Sequence, residues 1–145
     1  MKHFDYSYAL ETFNINLFSC CEIMAALLKK PNQNHLKNVI LISSISAKIG
    51  YKGTSVYAAS KAGLDSLSRS LSHELSPQVR INSIILGNIQ TRATQHLQDT
   101  LLAPPLGVGK PQDVSYLVEF LLSARSGWIT GQNIVLDGGK TSVGY

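Results

Sequence analysis

Apolar positions along the chain fall into two alternating rhythms. From about Tyr8 to Lys30 they recur at Leu10, Phe13, Leu17, Met24 and Leu27 or Leu28, the spacing of a helix with one buried stripe, and Pro31 predicts its end. Val39–Ile42 is an unbroken, β-branched-rich run, as expected of a strand covered on both faces. A Ser-, Gly- and Lys-rich stretch from Ser43 to Ser55 reads as a loop. Helical spacing returns from Ser55 to Leu75 with Leu64, Leu67, Leu71 and Leu75, and Pro77 stops it. Arg80–Leu86 reads as a second strand, and Gly87 opens an irregular segment that runs through Gly109. Pro111 suits the first turn of a helix whose apolar face is Val114, Leu117, Val118, Leu121 and Leu122. Asn133–Leu136 is a third strand, closed by Asp137-Gly-Gly139. Strands separated by helix-length segments predict an α/β fold with a doubly wound parallel sheet. No repeat or linker divides residues 1–145, which read as a single domain.

Composition narrows the function classes. The 145 residues are 44% hydrophobic and 15% charged, which excludes a disordered chain. With 13 basic and 9 acidic side chains the net charge is +4, but the only adjacent basic pair is Lys29-Lys30, so no nucleic-acid stripe is expected. No apolar stretch approaches the roughly 18 residues of a membrane span, and Asp5 stands where a secretory signal would be apolar. The expected setting is therefore cytoplasmic. Cys20 and Cys21 read as free thiols on a helix, since adjacent cysteines pair poorly. No metal site is expected. His3, His35, His73 and His96 are scattered in polar surroundings, and neither a nucleophile elbow nor a phosphate loop occurs.

The chemistry centres on Tyr57-Ala-Ala-Ser-Lys61, which puts a phenol and an ammonium one helical turn apart on one face. A pair at this spacing often lies on a solvated surface. Here, however, Tyr57 opens a helix after a loop that leaves a strand's carboxyl end, where parallel α/β sheets place ligands.

At this point the sequence resembles the short-chain dehydrogenase/reductase family. Ile42-Ser-Ser44 is similar to its strand-end serine motif, at the usual interval before Tyr57. Ile15-Asn16-Leu17 with Ser19 resembles the helix motif carrying an asparagine. Gly87-Asn-Ile-Gln-Thr91 resembles the segment that touches the nicotinamide end of the cofactor, with Leu86 in place of the usual proline. Lys110-Pro-Gln-Asp-Val114 resembles the entry to the last long helix, and Trp128-Ile-Thr-Gly-Gln132 through Val135-Leu-Asp-Gly-Gly139 the C-terminal signature. No glycine-rich pyrophosphate turn occurs, so the resemblance implies the C-terminal part of a Rossmann-like domain, a partial sheet without the N-terminal cofactor-binding half.

The resemblance implies hydride transfer between NAD or NADP and a small-molecule carbonyl or alcohol, for instance a 3-oxoacyl thioester. Tyr57 would be the proton donor and acceptor. A free phenol has a pKa of about 10, and the neighbouring Lys61 ammonium favours the phenolate. Ser44 would hold the substrate oxygen, although a capping or loop serine is the ordinary alternative. Asn16 would fix a water in the proton path, or simply bond local backbone. Lys61 would also grip the nicotinamide ribose, while Gly87, Ile89 and Thr91 would meet the nicotinamide end. Helices over residues 8–30 and 55–75 would pack against their copies in a homo-oligomer; packing within the chain is the alternative for Ala58–Gly63. A non-catalytic remnant acting through self-association is the competing expectation. Without the glycine-rich half, the chain alone is expected to bind NAD(P)H weakly or not at all.

Overall fold

The computed structural model describes residues 4–30, 32, 34–92, 94 and 104–142. The chain opens on helix α1 (Tyr6–Phe13), capped by Asp5, whose carboxylate accepts from the amides of Ser7 and Tyr8. A π-helical turn, Asn14–Phe18, joins it without a break to α2 (Ser19–Leu27). Strand β1 (Asn38–Ser44) leads through a 3-10 turn, Ile45–Ala47, and a loop to the long helix α3 (Ser55–Leu75). Strand β2 (Arg80–Leu86), helix α4 (Pro111–Leu122), a 3-10 turn at Ala124–Ser126 and β3 (Asn133–Leu136) complete the chain.

The three strands form one sheet in the order β1-β2-β3, all parallel, with Ile42 opposite Ile84 and Ile84 opposite Ile134. Among the described residues, β1 is therefore an edge. The α/β class and all three strands agree with the expectation, and the bounds of β2, β3, α3 and α4 coincide with it. Two details differ. Strand β1 extends beyond Val39–Ile42 to take in Asn38, Ser43 and Ser44, because the ladder with β2 continues to Leu86. The first helix is not one regular helix over residues 8–30: the amide of Ser19 bonds back five residues to Asn14, which widens the turn. Pro31 lies outside the described residues.

The core sits under β2, whose Ile81, Ile84 and Ile85 are fully buried. Met24, Val79 and Ile81 form a cluster flanked by Leu28, Leu36, Val39, Leu71 and Leu75. Leu64 alone of the predicted α3 leucines is deeply buried. The other deeply buried positions of that helix are Ser60, Asp65, Ser68 and Ser72. Serines let the helix lie close to the sheet, and Ser60 and Ser72 satisfy their hydroxyls on the carbonyls of Tyr57 and Arg69 (both 2.7 Å). Gly63 faces the first helical segment: a Cβ there would stand 2.8 Å from Cδ2 of Leu17. Gly63 thus serves packing within the chain, whereas Ala59 and Ala62 are exposed.

Candidate functional site at the carboxyl end of the sheet

Three elements meet where β1 ends. Lys61, in the second turn of α3, reaches back to the strand and donates from Nζ to the carbonyl of Ile42 at 3.0 Å. Its ammonium stands 5.9 Å from the centroid of the Tyr57 ring, within range of a cation–π contact. Ser43 ties the same helix down from the other side, donating from Oγ to the carbonyl of Lys61 at 3.1 Å. Burial pushes the Lys61 ammonium below its ordinary value, while the nearby Cys20 and Asp65 pull it back up.

Asn16 enters from the π turn. Its Nδ2 donates to Ser60 Oγ at 3.0 Å, and Ser60 Oγ donates to the Tyr57 carbonyl at 2.7 Å. Asn16 thus lies within the widened turn and faces α3. Cys20, one turn later, donates from Sγ to the Asn16 carbonyl at 3.6 Å.

Ser44 is the last residue of β1 and makes its hydrogen bonds with Ser46, accepting from the amide at 3.2 Å and donating to the hydroxyl at 3.3 Å. It caps the 3-10 turn at the strand end.

Gly87 follows β2, and its amide donates to Leu136 at 2.9 Å. A Cβ there would fall 2.6 Å from Cα of Asp137, so glycine is required by the close approach of the C-terminal turn. Ile89 pairs with Gly109, and the hydroxyl and amide of Thr91 both bond Thr94. Residues 93 and 95–103 of the segment between Gly87 and Gly109 lie outside the described residues.

Tyr57 and Lys61 are therefore brought together, with Asn16 tied through Ser60 to the helix that carries them, Ser44 at the adjoining strand end and Gly87, Ile89 and Thr91 on the loop after the neighbouring strand. Sequence reading missed Ser43, Ser60 and Asp65. Ser60 is fully buried and bridges Asn16 to the helix that carries Tyr57. A hollow of about 210 Å³ lined by Leu28, Asn34, Glu74, Leu75, Gln78 and Val79 lies at the opposite, amino end of the sheet, away from these groups. Among the described residues, no group of three His, Cys, Asp or Glu side chains is placed to hold a metal. No described helix is long and apolar enough to cross a membrane.

A parallel α/β sheet carrying a Tyr–Lys pair at its carboxyl rim defines a class, and comparison with known proteins gives the family. The family model described as Enoyl-(Acyl carrier protein) reductase matches residues 2–141. The chain belongs to the short-chain dehydrogenase/reductase family. It is 35% identical to the 3-oxoacyl-[acyl-carrier-protein] reductase FabG of Chlamydia pneumoniae over 97% of this chain and 58% of that protein. Identity to the FabG of Rickettsia conorii is also 35%, over 99% of this chain and 61% of the relative. Among solved structures it resembles a short chain dehydrogenase/reductase family protein (TM-score 0.89, 30% identity), covering 99% of this chain and 62% of the other. It also resembles 4-hydroxyisoleucine dehydrogenase complexed with NADH (TM-score 0.87, 27% identity), covering 99% and 64% of the respective chains. The chain thus spans about three-fifths of the length of these relatives.

Proposed function

We propose that this chain supplies the proton-transfer and substrate-orienting side of a nicotinamide-dependent oxidoreductase acting on a carbonyl or alcohol. 3-Oxoacyl thioesters are the substrate class favoured by the FabG relatives. The observation that carries the reading is the seat of Lys61. Its Nζ is held 3.0 Å from the Ile42 carbonyl and 5.9 Å from the Tyr57 ring centroid, at the rim where such sheets bind ligands.

The residues present fit the nicotinamide-ribose end of NAD or NADP. An ammonium has three donors, and the one hydrogen bond to Ile42 leaves others for ribose hydroxyls. The cofactor supplies or accepts the hydride. Tyr57 gives a proton to the substrate oxygen in reduction and takes one in oxidation. Ser44 orients that oxygen by turning its hydroxyl from Ser46 to the substrate. Asn16, anchored on Ser60, holds a water on the proton's route. Gly87, Ile89 and Thr91 shape the edge that meets the nicotinamide. A cytoplasmic setting accords with the two free thiols, Cys20 and Cys21.

The test is reduction of acetoacetyl-CoA by the full protein containing these residues, followed by loss of NADH or NADPH absorbance. Tyr57→Phe should reduce kcat at least 100-fold while the circular dichroism spectrum is kept, a loss in the range of general acid–base catalysis. Turnover within a few-fold of the parent would refute the assignment.

A second reading, self-association without catalysis, is favoured by the exposed apolar side chains of the first helical segment, among them Ile15 (65% exposed), Phe18 (45%) and Ile23 (57%). Light scattering at micromolar concentration should give the mass of a dimer or larger. A monomer would contradict self-association under either reading.

A further inference from the structure

A fully buried hydroxyl stands between the π turn and the helix that carries Tyr57. Ser60, 0% exposed, donates from Oγ to the Tyr57 carbonyl at 2.7 Å and accepts from Asn16 Nδ2 at 3.0 Å. A carbonyl has no proton to give, and a serine hydroxyl has only one. The Ser60 proton is therefore committed to Tyr57, and towards Asn16 the oxygen can only accept.

That commitment decides which way round the Asn16 amide stands. With the amide turned over, its Oδ1 would meet the Ser60 oxygen with no hydrogen between them, at a buried position where an unmade bond is unfavourable. Asn16 must turn an N–H towards Ser60, and its Oδ1 is left as the amide's acceptor. The two bonds run in one direction, from Nδ2–H to Oγ–H to the Tyr57 carbonyl, and each polarises the other. Beside them Leu17 packs over Gly63, an apolar contact indifferent to the direction of an amide.

We propose that Ser60 is a positioning residue of the site: it fixes the Asn16 amide with Oδ1 presented as an acceptor. A water held there gives Asn16 a hydrogen bond and keeps its lone pairs for the proton's route. This rests on the reading of Asn16 as the water-holding residue given above. It adds a residue that, being fully buried, touches neither substrate nor cofactor.

The experiment labels the full protein containing these residues with ¹⁵N-asparagine and assigns the Asn16 side-chain amide by its loss in Asn16→Ala. Held by Ser60, that amide should exchange its protons with water about tenfold more slowly than an exposed asparagine amide. Ser60→Ala should abolish the protection, and Ser60→Thr, which keeps the hydroxyl, should retain it to within about threefold. In reduction of acetoacetyl-CoA, Ser60→Ala should lower kcat about fivefold, the order of one hydrogen bond, with KM within about twofold. Ser60→Ala combined with Asn16→Ala should lose no more than Asn16→Ala alone, because one residue acts through the other. An Asn16 amide that exchanges equally fast in the parent and in Ser60→Ala would overturn the proposal. So would an unchanged kcat in Ser60→Ala, or single losses that multiply in the double variant, which would mark Ser60 as packing only. Should Ser60→Ala fail to fold, Ser60→Cys keeps the shape with a weak acceptor, and the same outcomes decide. Failure of the Tyr57 assignment would show in turnover of Tyr57→Phe and would leave the exchange measurement unchanged.

Discussion

Arg80 offers the sharpest stability test, because one side chain ties the end of α4 and the turns after it to the start of β2. Its guanidinium donates to the carbonyls of Leu121 (2.9 Å), Ser123 (3.3 Å), Ser126 (2.9 Å) and Ile129 (3.2 Å), and to the Ser126 hydroxyl (3.1 Å). Leu121 lies in the last turn of α4 and Ser123 is its C-cap. Their carbonyls have no partner within the helix, and a cation suits the negative end of its dipole. Arg80→Met keeps the apolar stem and strips every donor. Hydrogen bonds to a charged group are worth about 1.5–3 kcal/mol each. None of the carbonyls is stranded by the loss, because Leu121 and Ser123 still accept from the Ser126 hydroxyl, Ser126 from the Ile129 amide and Ile129 from Asn82 Nδ2. These contributions overlap and the acceptors keep their other donors, so the expected loss is about 2–4 kcal/mol. Against a total stability of about 5–15 kcal/mol, that is a large share. Arg80→Lys keeps the charge but gathers its donors on one nitrogen, which cannot span acceptors on both sides, so it should lose about half as much. Urea unfolding followed by circular dichroism measures both. An Arg80→Met protein that loses less than about 1 kcal/mol would refute the view that this side chain holds the end of α4 to the start of β2.

Three further outcomes are expected. Gly87→Ala should cost about 1–3 kcal/mol in urea unfolding, since its Cβ meets the Asp137 backbone, which cannot swing aside; Gly50→Ala, with nothing within 4 Å, should be neutral or slightly stabilising. Burial raises the Asp137 carboxyl, but hydrogen bonds from Thr141, Gly139 and Lys140 outweigh it and hold the group below its ordinary value. Its stabilising contribution is complete above the unfolded pKa of about 3.9 and is lost as pH falls through the folded pKa. Asp137→Asn should therefore show a shallower loss of stability below about pH 4 than the parent. Asn16→Ala removes the donor to Ser60 and should cost about 1 kcal/mol of stability by the same unfolding measurement.

The elements with a single clear period were legible in the sequence. Pro111 and the spacing behind it marked α4, and the apolar runs at Arg80–Leu86 and Asn133–Leu136 marked two strands to the residue. The first helix misled because a π turn inserts a residue that a 3.6-residue pattern does not represent, and Leu10, expected on the buried stripe, is 42% exposed. The buried side of α3 misled differently. Its leucines were visible as a stripe, but the helix turns Ser60, Ser68 and Ser72 to the interior, and small hydroxyls carry no hydrophobic period. In the site, the Tyr57–Lys61 juxtaposition could be read because it is local to one helix. The bond from Asn16 to Ser60 spans 44 residues, and that from Ser83 to Asp65 spans 18, so tertiary folding alone reveals them.

The glycine after β2 shows how the C-terminal turn reaches into the site. Gly87 is held between the Leu136 carbonyl, which its amide contacts at 2.9 Å, and the Asp137 backbone, which leaves no room for a Cβ. Asp137 in turn folds the turn over itself by accepting from Gly139 and Thr141. The Leu106 amide bonds Gly138 at 3.0 Å, and the amides of Gly109 and Gln90 bond Asn88 and Gly109. Three stretches distant in sequence are thus stitched into one rim beside the end of β1. A change at Asp137 should disturb the rim without touching Tyr57, Lys61 or their helix, because those are anchored separately through Ile42, Ser43 and Ser60.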